Sequence, residues 1–209
     1  MASEPAWWRG EKPAAEPRGS ALDEVQRGEF SEFAVAPVVA GIGLREVNVF
    51  DARVTGADLA LTDLHLKVEW SEFNDCRFHQ KARPVLNEYG IAAQGSFGNS
   101  PAIFRNCTFE GVRFKLLGGF SMSRATFEDC TFVNCRWEGH FANDAWLINN
   151  RFIGKMNGCV WFGAGDVGRN VIAGNNFSET IFTTNVAFRN AFPVDDQTWP
   201  DGYEPLEDD

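Results

Sequence analysis

Large apolar residues in this chain recur five positions apart, as in Phe73/Phe78, Phe104/Phe109/Phe114, Phe127/Phe132/Trp137 and Phe177/Phe182. Neither the helical period nor the simple alternation of a flat strand produces that spacing. It fits a chain that turns a corner after each short extended segment and sends one large side chain inward on every face. Two residues before most of the large positions stands a small or thin one: Ser71, Cys76, Ala102, Cys107, Val112, Ala125, Cys130 and Cys135. Alternating large and small inward positions let a narrow coil fill its interior without voids.

A longer repeat lies over the short one. The phrase Phe-x-(Asp or Asn)-Cys-x-Phe occurs at residues 73 to 78, 104 to 109 and 127 to 132, and a lead phenylalanine returns at 73, 104, 127, 152 and 177. A period of about two dozen residues is that of a solenoid, in which no repeat buries its own apolar face and each needs its neighbour. The expected arrangement stacks Phe73, Phe104, Phe127, Phe152 and Phe177 in one inward column. Cys76, Cys107 and Cys130 share one slot of the phrase and should form a ladder with rungs about 4.8 Å apart, and Cys135 and Cys159 a second column.

The (small)-x-(Phe or Leu)-x-x pattern resembles the pentapeptide-repeat family, and it also occurs as Ala57-Asp58-Leu59-Ala60-Leu61 and Thr62-Asp63-Leu64-His65-Leu66. The resemblance covers about residues 47 to 192. It implies a right-handed quadrilateral parallel β-helix, and a fold rather than an activity. Regular members close a coil in four pentapeptides. The lead-phenylalanine steps here are 31, 23, 25 and 25 residues, so several corners should carry loops, and Asn150 and Asn175 take the small slot before Phe152 and Phe177.

The domain plan follows. Residues 1 to 19, rich in Pro, Ala and mixed charge, read as a disordered tail, although Trp7-Trp8 is unusual for one. Residues 20 to 46 read as an N-terminal cap, with Ser20 capping a short helix over residues 21 to 27 and Gly28 ending it. Residues 81 to 101, without the five-residue beat, read as a loop insertion in the coil, either functional or disordered. Residues 193 to 209 form an acidic tail. Smaller irregular stretches fall at 116 to 123, 140 to 149 and 163 to 174. The last holds Gly163, Gly165 and Gly168 in the spacing of a dinucleotide loop, but the next repeat follows too soon for the helix such a loop must open.

Five cysteines, an odd number without a secretory leader, argue against a disulfide framework. Without a Cys-x-x-Cys pair or adjacent histidine, buried reduced thiols are expected rather than a metal centre, and no cofactor is implied. Nothing in the chain suggests a membrane span or a targeting leader, so the expected compartment is the cytoplasm. The histidines, His65, His79 and His140, lack a nucleophile in the same repeat, and Glu138 beside His140 reads as solvated. Carbohydrate-active β-helices need clustered carboxylates or bases. The residues available are Glu110, Glu128 and Asp129 with Arg105 and Arg113, which read better as cross-rung charge pairs. No catalytic residue is assigned, and the chain is expected not to be an enzyme.

Charge changes the picture most. The resemblance implies a role, since several family members mimic duplex DNA, bind DNA gyrase and protect it from inhibitors, and a net charge of −10 suits that. Its distribution does not: residues 1 to 70 hold 12 acidic and 7 basic residues, residues 71 to 192 hold 10 and 12, and residues 193 to 209 hold 7 and 0. A DNA mimic should carry its charge along the coil. The tail interleaves Asp195, Asp196 and Asp201 with Trp199 and Tyr203, and is either a strap laid on the last coil or a free acidic-aromatic peptide. These five residues are the candidate partner-binding set. The expected function is a non-enzymatic protein-binding solenoid acting without direct contact to nucleic acid or membrane. A type II topoisomerase is the named alternative partner, and a dimer is compatible with the sequence.

Overall fold

A computed structural model of the chain describes residues 24–30, 45–62, 64–81, 94–98, 101–115, 119–141, 145–164, 170–183, 185–205 and 207–208. The expected disordered tail, most of the N-terminal cap, most of the 81 to 101 insertion and the glycine run at 165 to 168 lie outside them. The described residues form an all-β parallel solenoid whose single helical turn is the 3-10 turn Val194–Asp196.

Three parallel ladders run the length of the coil. The first stacks Arg45–Thr55, Glu72–Asn74, Ala102–Arg105, Ala125–Glu128, Trp146–Ile148 and Val171–Ala173. The second is the six-stranded sheet Asp58–Ala60, Arg77–His79, Thr108–Glu110, Thr131–Val133, Arg151–Met156 and Asn176–Phe182. The third runs from Leu64–Glu69 through Gly95–Ser96, Phe120–Ser121, Arg113–Lys115, Arg136–Phe141, Cys159–Phe162 and Val186–Arg189 to Glu207–Asp208. It joins the first through Arg45–Thr55.

Register corrects the expected phenylalanine column. On the first face the inward residues are Val54, Phe73, Phe104, Phe127, Leu147 and Ile172, whereas Phe152 stands over Phe132 on the second face and Phe177 stacks on Phe152. The rung above Phe127 is the aliphatic Leu147, so following aromatic residues alone steps from one face to the next. Along the second face the steps from Leu59 to Phe78, Phe109, Phe132 and Phe152 are 19, 31, 23 and 20 residues. Two of these coils are therefore nearly regular.

The rings of the first two faces form two face-to-face stacks, and on the third face Phe114 stacks on Trp137 at 4.7 Å. Phe73, Phe104 and Phe127 lie 5.1 Å apart between successive rungs. Phe78, Phe109, Phe132, Phe152 and Phe177 follow at 4.9, 5.0, 4.9 and 4.5 Å. Between the stacks the rings meet edge to face, as in Phe78 against Phe104 at 5.6 Å and 74°. Phe97, at the return of the insertion, is fully buried and meets Phe78, Phe104, Phe109 and Phe127 edge-on. Its approach requires glycine on both sides: a Cβ on Gly95 would lie 1.9 Å from the Leu66 carbonyl oxygen, and one on Gly98 2.2 Å from that of Ser123.

The polar letter of the repeated phrase is a corner. Asp75, Asn106, Asp129 and Asn149 all have φ between 50° and 56°, as the left-handed turn before each slot residue demands, and Asp and Asn tolerate that region better than other side chains with a Cβ. The slot itself runs Ala57, Cys76, Cys107, Cys130, Asn150, Asn175. The Cys76 thiol donates to the Val54 carbonyl, Cys107 to Phe73 and Cys130 to Phe104, and Asn150 and Asn175 use Nδ2 in the same way on Phe127 and Leu147. The asparagines thus continue the cysteine column. The second cysteine column does not form: Cys159 pairs with Gly139, while Arg136, next to Cys135, bonds to the Val112 carbonyl, which puts Cys135 over Val112.

The N-terminal cap also departs from expectation. Over its described part the predicted helix is replaced by the strand Glu24–Phe30, parallel to Arg45–Thr55. The backbone edge of the first coil offers unpaired donors and acceptors, and a strand satisfies them where a helix cannot.

The two-stack register makes a direct prediction. Alanine at Phe132 or Phe152 should each cost about 3–5 kcal/mol, and a double-mutant cycle between them should show coupling of about 0.5–3 kcal/mol. The Phe127/Phe152 cycle should be additive within about 0.5 kcal/mol. Urea denaturation of the five variants beside the parent chain measures both, and strong Phe127/Phe152 coupling would restore the single column.

Candidate binding surface

Outside the core, charge is arranged rung to rung. Arg105 bridges Glu72 below and Glu128 above, the latter at 3.0 Å, and Arg77 bridges Asp58 at 3.2 Å and Glu110 at 2.6 Å. Glu138 takes both Arg113 and Lys115, at 3.1 and 2.8 Å, and the hydrogen bonds from Lys115 and then Arg113 hold its carboxyl below the usual range. Arg151 pairs with Glu179. These exposed pairs add little stability each, but they fix which charges are free. The carboxylates considered for carbohydrate chemistry are not brought together: Glu110 lies on the second face, Glu128 on the first, and Asp129 at the corner between them. His79 is 3.2 Å from Asp58, and His65 Nδ1 is 3.1 Å from the Gln94 carbonyl oxygen.

Among the described residues no cluster of His, Cys, Asp and Glu has the makings of a metal site. The five thiols are buried. Hydrogen bonding to the neighbouring rung, from Cys107 on Cys76 and from Cys130 on Cys107, joins burial in keeping the first two protonated. Burial alone leads for Cys135 and Cys159, the latter pushed up to about 12.

The C-terminal tail is the strap of the two forms weighed from its sequence. After Phe192 the chain makes the 3-10 turn Val194–Asp196, and Gln197 then enters the slot column, its Oε1 accepting the backbone N–H of Asn175 at 2.9 Å and the Asn175 amide at 3.0 Å. Gln197 Nε2 donates to the Pro193 carbonyl, so the amide ladder ends fully satisfied. Trp199 ends the aromatic stack, lying on Phe177 at 5.1 Å and 10°, with its indole N–H given to the Val194 carbonyl. Tyr203 lies on Phe182 at 4.3 Å, and burial raises its phenol. The strand Glu207–Asp208 covers the edge of Val186–Arg189. Both aromatic rings of the candidate set are therefore engaged from below, while Asp195, Asp196 and Asp201 are exposed around them with Glu204. Asp196 also accepts the Gly174 N–H at 3.2 Å, which ties the rim to the last corner. The tail's alternation of acids and rings signalled this division. Gln197, which carries no such signal, was missed.

No protein-family description and no curated protein matches the chain. Among solved structures it is similar to QnrB1, described as a plasmid-mediated fluoroquinolone resistance protein, at 10% identity and a TM-score of 0.23, over 79% of this chain and 91% of that one. A likeness that loose supports no inference about activity. Among the described residues no helix is long and apolar enough to cross a membrane.

Two predictions follow from the cap and the slot column. Trp199→Ala should lower stability by about 3 kcal/mol, and removal of residues 193 to 209 should uncover Phe177, Phe182 and the Asn175 amide and drive self-association, read by light scattering. A truncated chain that stays monomeric at unchanged Tm would mean the strap is not the cap. Iodoacetamide should label the thiols only as the chain unfolds, so labelling and unfolding rates should coincide; fast labelling of Cys107 in native buffer would contradict the buried column.

Proposed function

We propose that this protein is a non-enzymatic, cytoplasmic protein-binding solenoid of the pentapeptide-repeat type, and that it engages its partner with the acidic rim of the C-terminal cap. One observation carries the reading: five outer glutamates of the coil body, Glu72, Glu110, Glu128, Glu138 and Glu179, are paired with arginine or lysine, which leaves Asp75 and Asp129 as scattered corner acids, whereas Asp195, Asp196 and Asp201 stand exposed together over an aromatic base. A fixed patch of unpaired negative charge recognises a basic protein surface and speeds encounter with it. Trp199 and Tyr203 hold the rim in place at low entropic cost to binding.

Protection of a type II topoisomerase by DNA mimicry is the competing reading, favoured by the net charge of −10. It asks for free acids along the coil body, where the ion pairs leave few. A carbohydrate-active enzyme is the less favoured reading, because Glu110 and Glu128 are each taken up by an arginine and lie on different faces of the coil.

Affinity capture from native cytosol followed by titration of the captured partner tests the choice. Replacing Asp195, Asp196 and Asp201 together by Asn should weaken binding roughly tenfold, the sum of three rim charges at about 0.5 kcal/mol each, and flatten its salt dependence. Glu110→Gln with Glu128→Gln should change it little. Protection of gyrase supercoiling against a poison that survives the rim variant but is lost in the body variant would establish DNA mimicry instead.

A further inference from the structure

Among the described residues, three settings of asparagine bear on its chemistry. Asn150 and Asn175 are buried with their amides fully engaged. Corner asparagines such as Asn106, Asn134 and Asn149 are exposed, but each is followed by a buried side chain, Cys107, Cys135 or Asn150, and the backbone N–H after Asn149 is held by Asn175 Oδ1 at 3.0 Å. Asn157 belongs to neither group. It is the only asparagine in the sequence followed by glycine, and both Asn157 and Gly158 are exposed in the short turn between strands Arg151–Met156 and Cys159–Phe162. Gly158 sits at φ 65°, and no atom lies within 4 Å of where a Cβ would stand.

We infer that Asn157 is a site of spontaneous deamidation and isomerisation, a built-in ageing point of the solenoid. The Gly158 backbone nitrogen, once deprotonated, attacks Asn157 Cγ; the new C–N bond closes a five-membered succinimide and the side-chain nitrogen departs with the protons as ammonia. Water then opens the ring at either carbonyl, giving aspartate or isoaspartate. The balance is one water in and one ammonia out, with no oxidant or cofactor. Glycine is what allows it, since no side chain shields the attacking nitrogen and the backbone there reaches conformations closed to other residues.

The product matters because of where the turn sits. The Gly158 carbonyl accepts the Gly139 N–H at 3.3 Å, and Cys159 pairs with both Gly139 and Val186. Isoaspartate lengthens the backbone by one methylene immediately before this junction, where Cys159 opens its strand between Gly139 and Val186. Either product also adds a negative charge to the nearly neutral body, next to the exposed Lys155. The folded, aged protein thereby becomes a substrate for a methyltransferase that recognises isoaspartyl carboxylates.

The test incubates the full-length native protein at neutral and mildly alkaline pH and follows Asn157 by peptide mass mapping, with isoaspartate counted by methyl transfer from labelled S-adenosylmethionine. The expected result is conversion at Asn157 that speeds with pH, with Asn150 and Asn175 intact, and loss of methyl acceptance by at least about tenfold in Asn157→Gln, whose larger ring closes slowly, a barrier difference of about 1.4 kcal/mol. Gly158→Ala should slow it too, but alanine is strained at that φ, so Asn157→Gln decides the matter. If Asn157 stays intact in the folded chain while the urea-unfolded chain converts, the turn protects the site and the inference is wrong.

Discussion

Backbone hydrogen bonds between parallel rungs hold successive coils about 4.8 Å apart, and nearly every other feature of this molecule adapts to that distance. Flat rings of the same orientation fit it face to face, which is why the inward positions of the middle rungs are phenylalanine in two unbroken stacks. A thiol or a carboxamide spans it from slot to the carbonyl below, so Cys130 and Asn150 do the same work with different chemistry. Arginine spans it on the outside, where Arg105 and Arg77 each hold an acid above and below. The interior and the surface are two answers to one spacing.

How much of this was legible depended on whether a residue's identity or its rung carried the information. The five-residue beat and the small-large alternation exposed the coil, its inward positions and the shared slot of Cys76, Cys107 and Cys130, because packing volume constrains residue type directly. Rung assignment was harder. Leu147 replaces a ring on the first face and Asn150 a thiol in the slot, so a reader who follows like residues moves from Phe127 to Phe152 and changes face without noticing. Phe97 was hidden for a related reason: its position inside the core is set by Gly95 and Gly98 allowing close backbone approach, a constraint that leaves no periodic trace. The strand at Glu24–Phe30 was called by the open edge it covers, and local helix signals say nothing of such an edge.

The surface assigns roles by what is already occupied. On the coil body Arg77, Arg105, Arg113, Lys115 and Arg151 take up acids of neighbouring rungs, which leaves the outer faces close to neutral. At the cap the aromatic residues look down and the acids look out, so Asp195, Asp196, Asp201 and Glu204 gather exposed where the coil ends. A repeat protein whose faces are self-neutralised presents its distinctive surface at its terminus, where the ladder must be closed in any case.

Phe97 has a further consequence for mechanics. In a solenoid made only of nearest-neighbour contacts, coils can peel away one after another, and the molecule behaves as a row of weakly linked springs. The Phe97 ring touches partners on three successive coils at once, from Phe78 through Phe104 and Phe109 to Phe127. It acts as a dowel through the stack, so the middle of the molecule should yield under load as one block, leaving gradual unravelling to the ends.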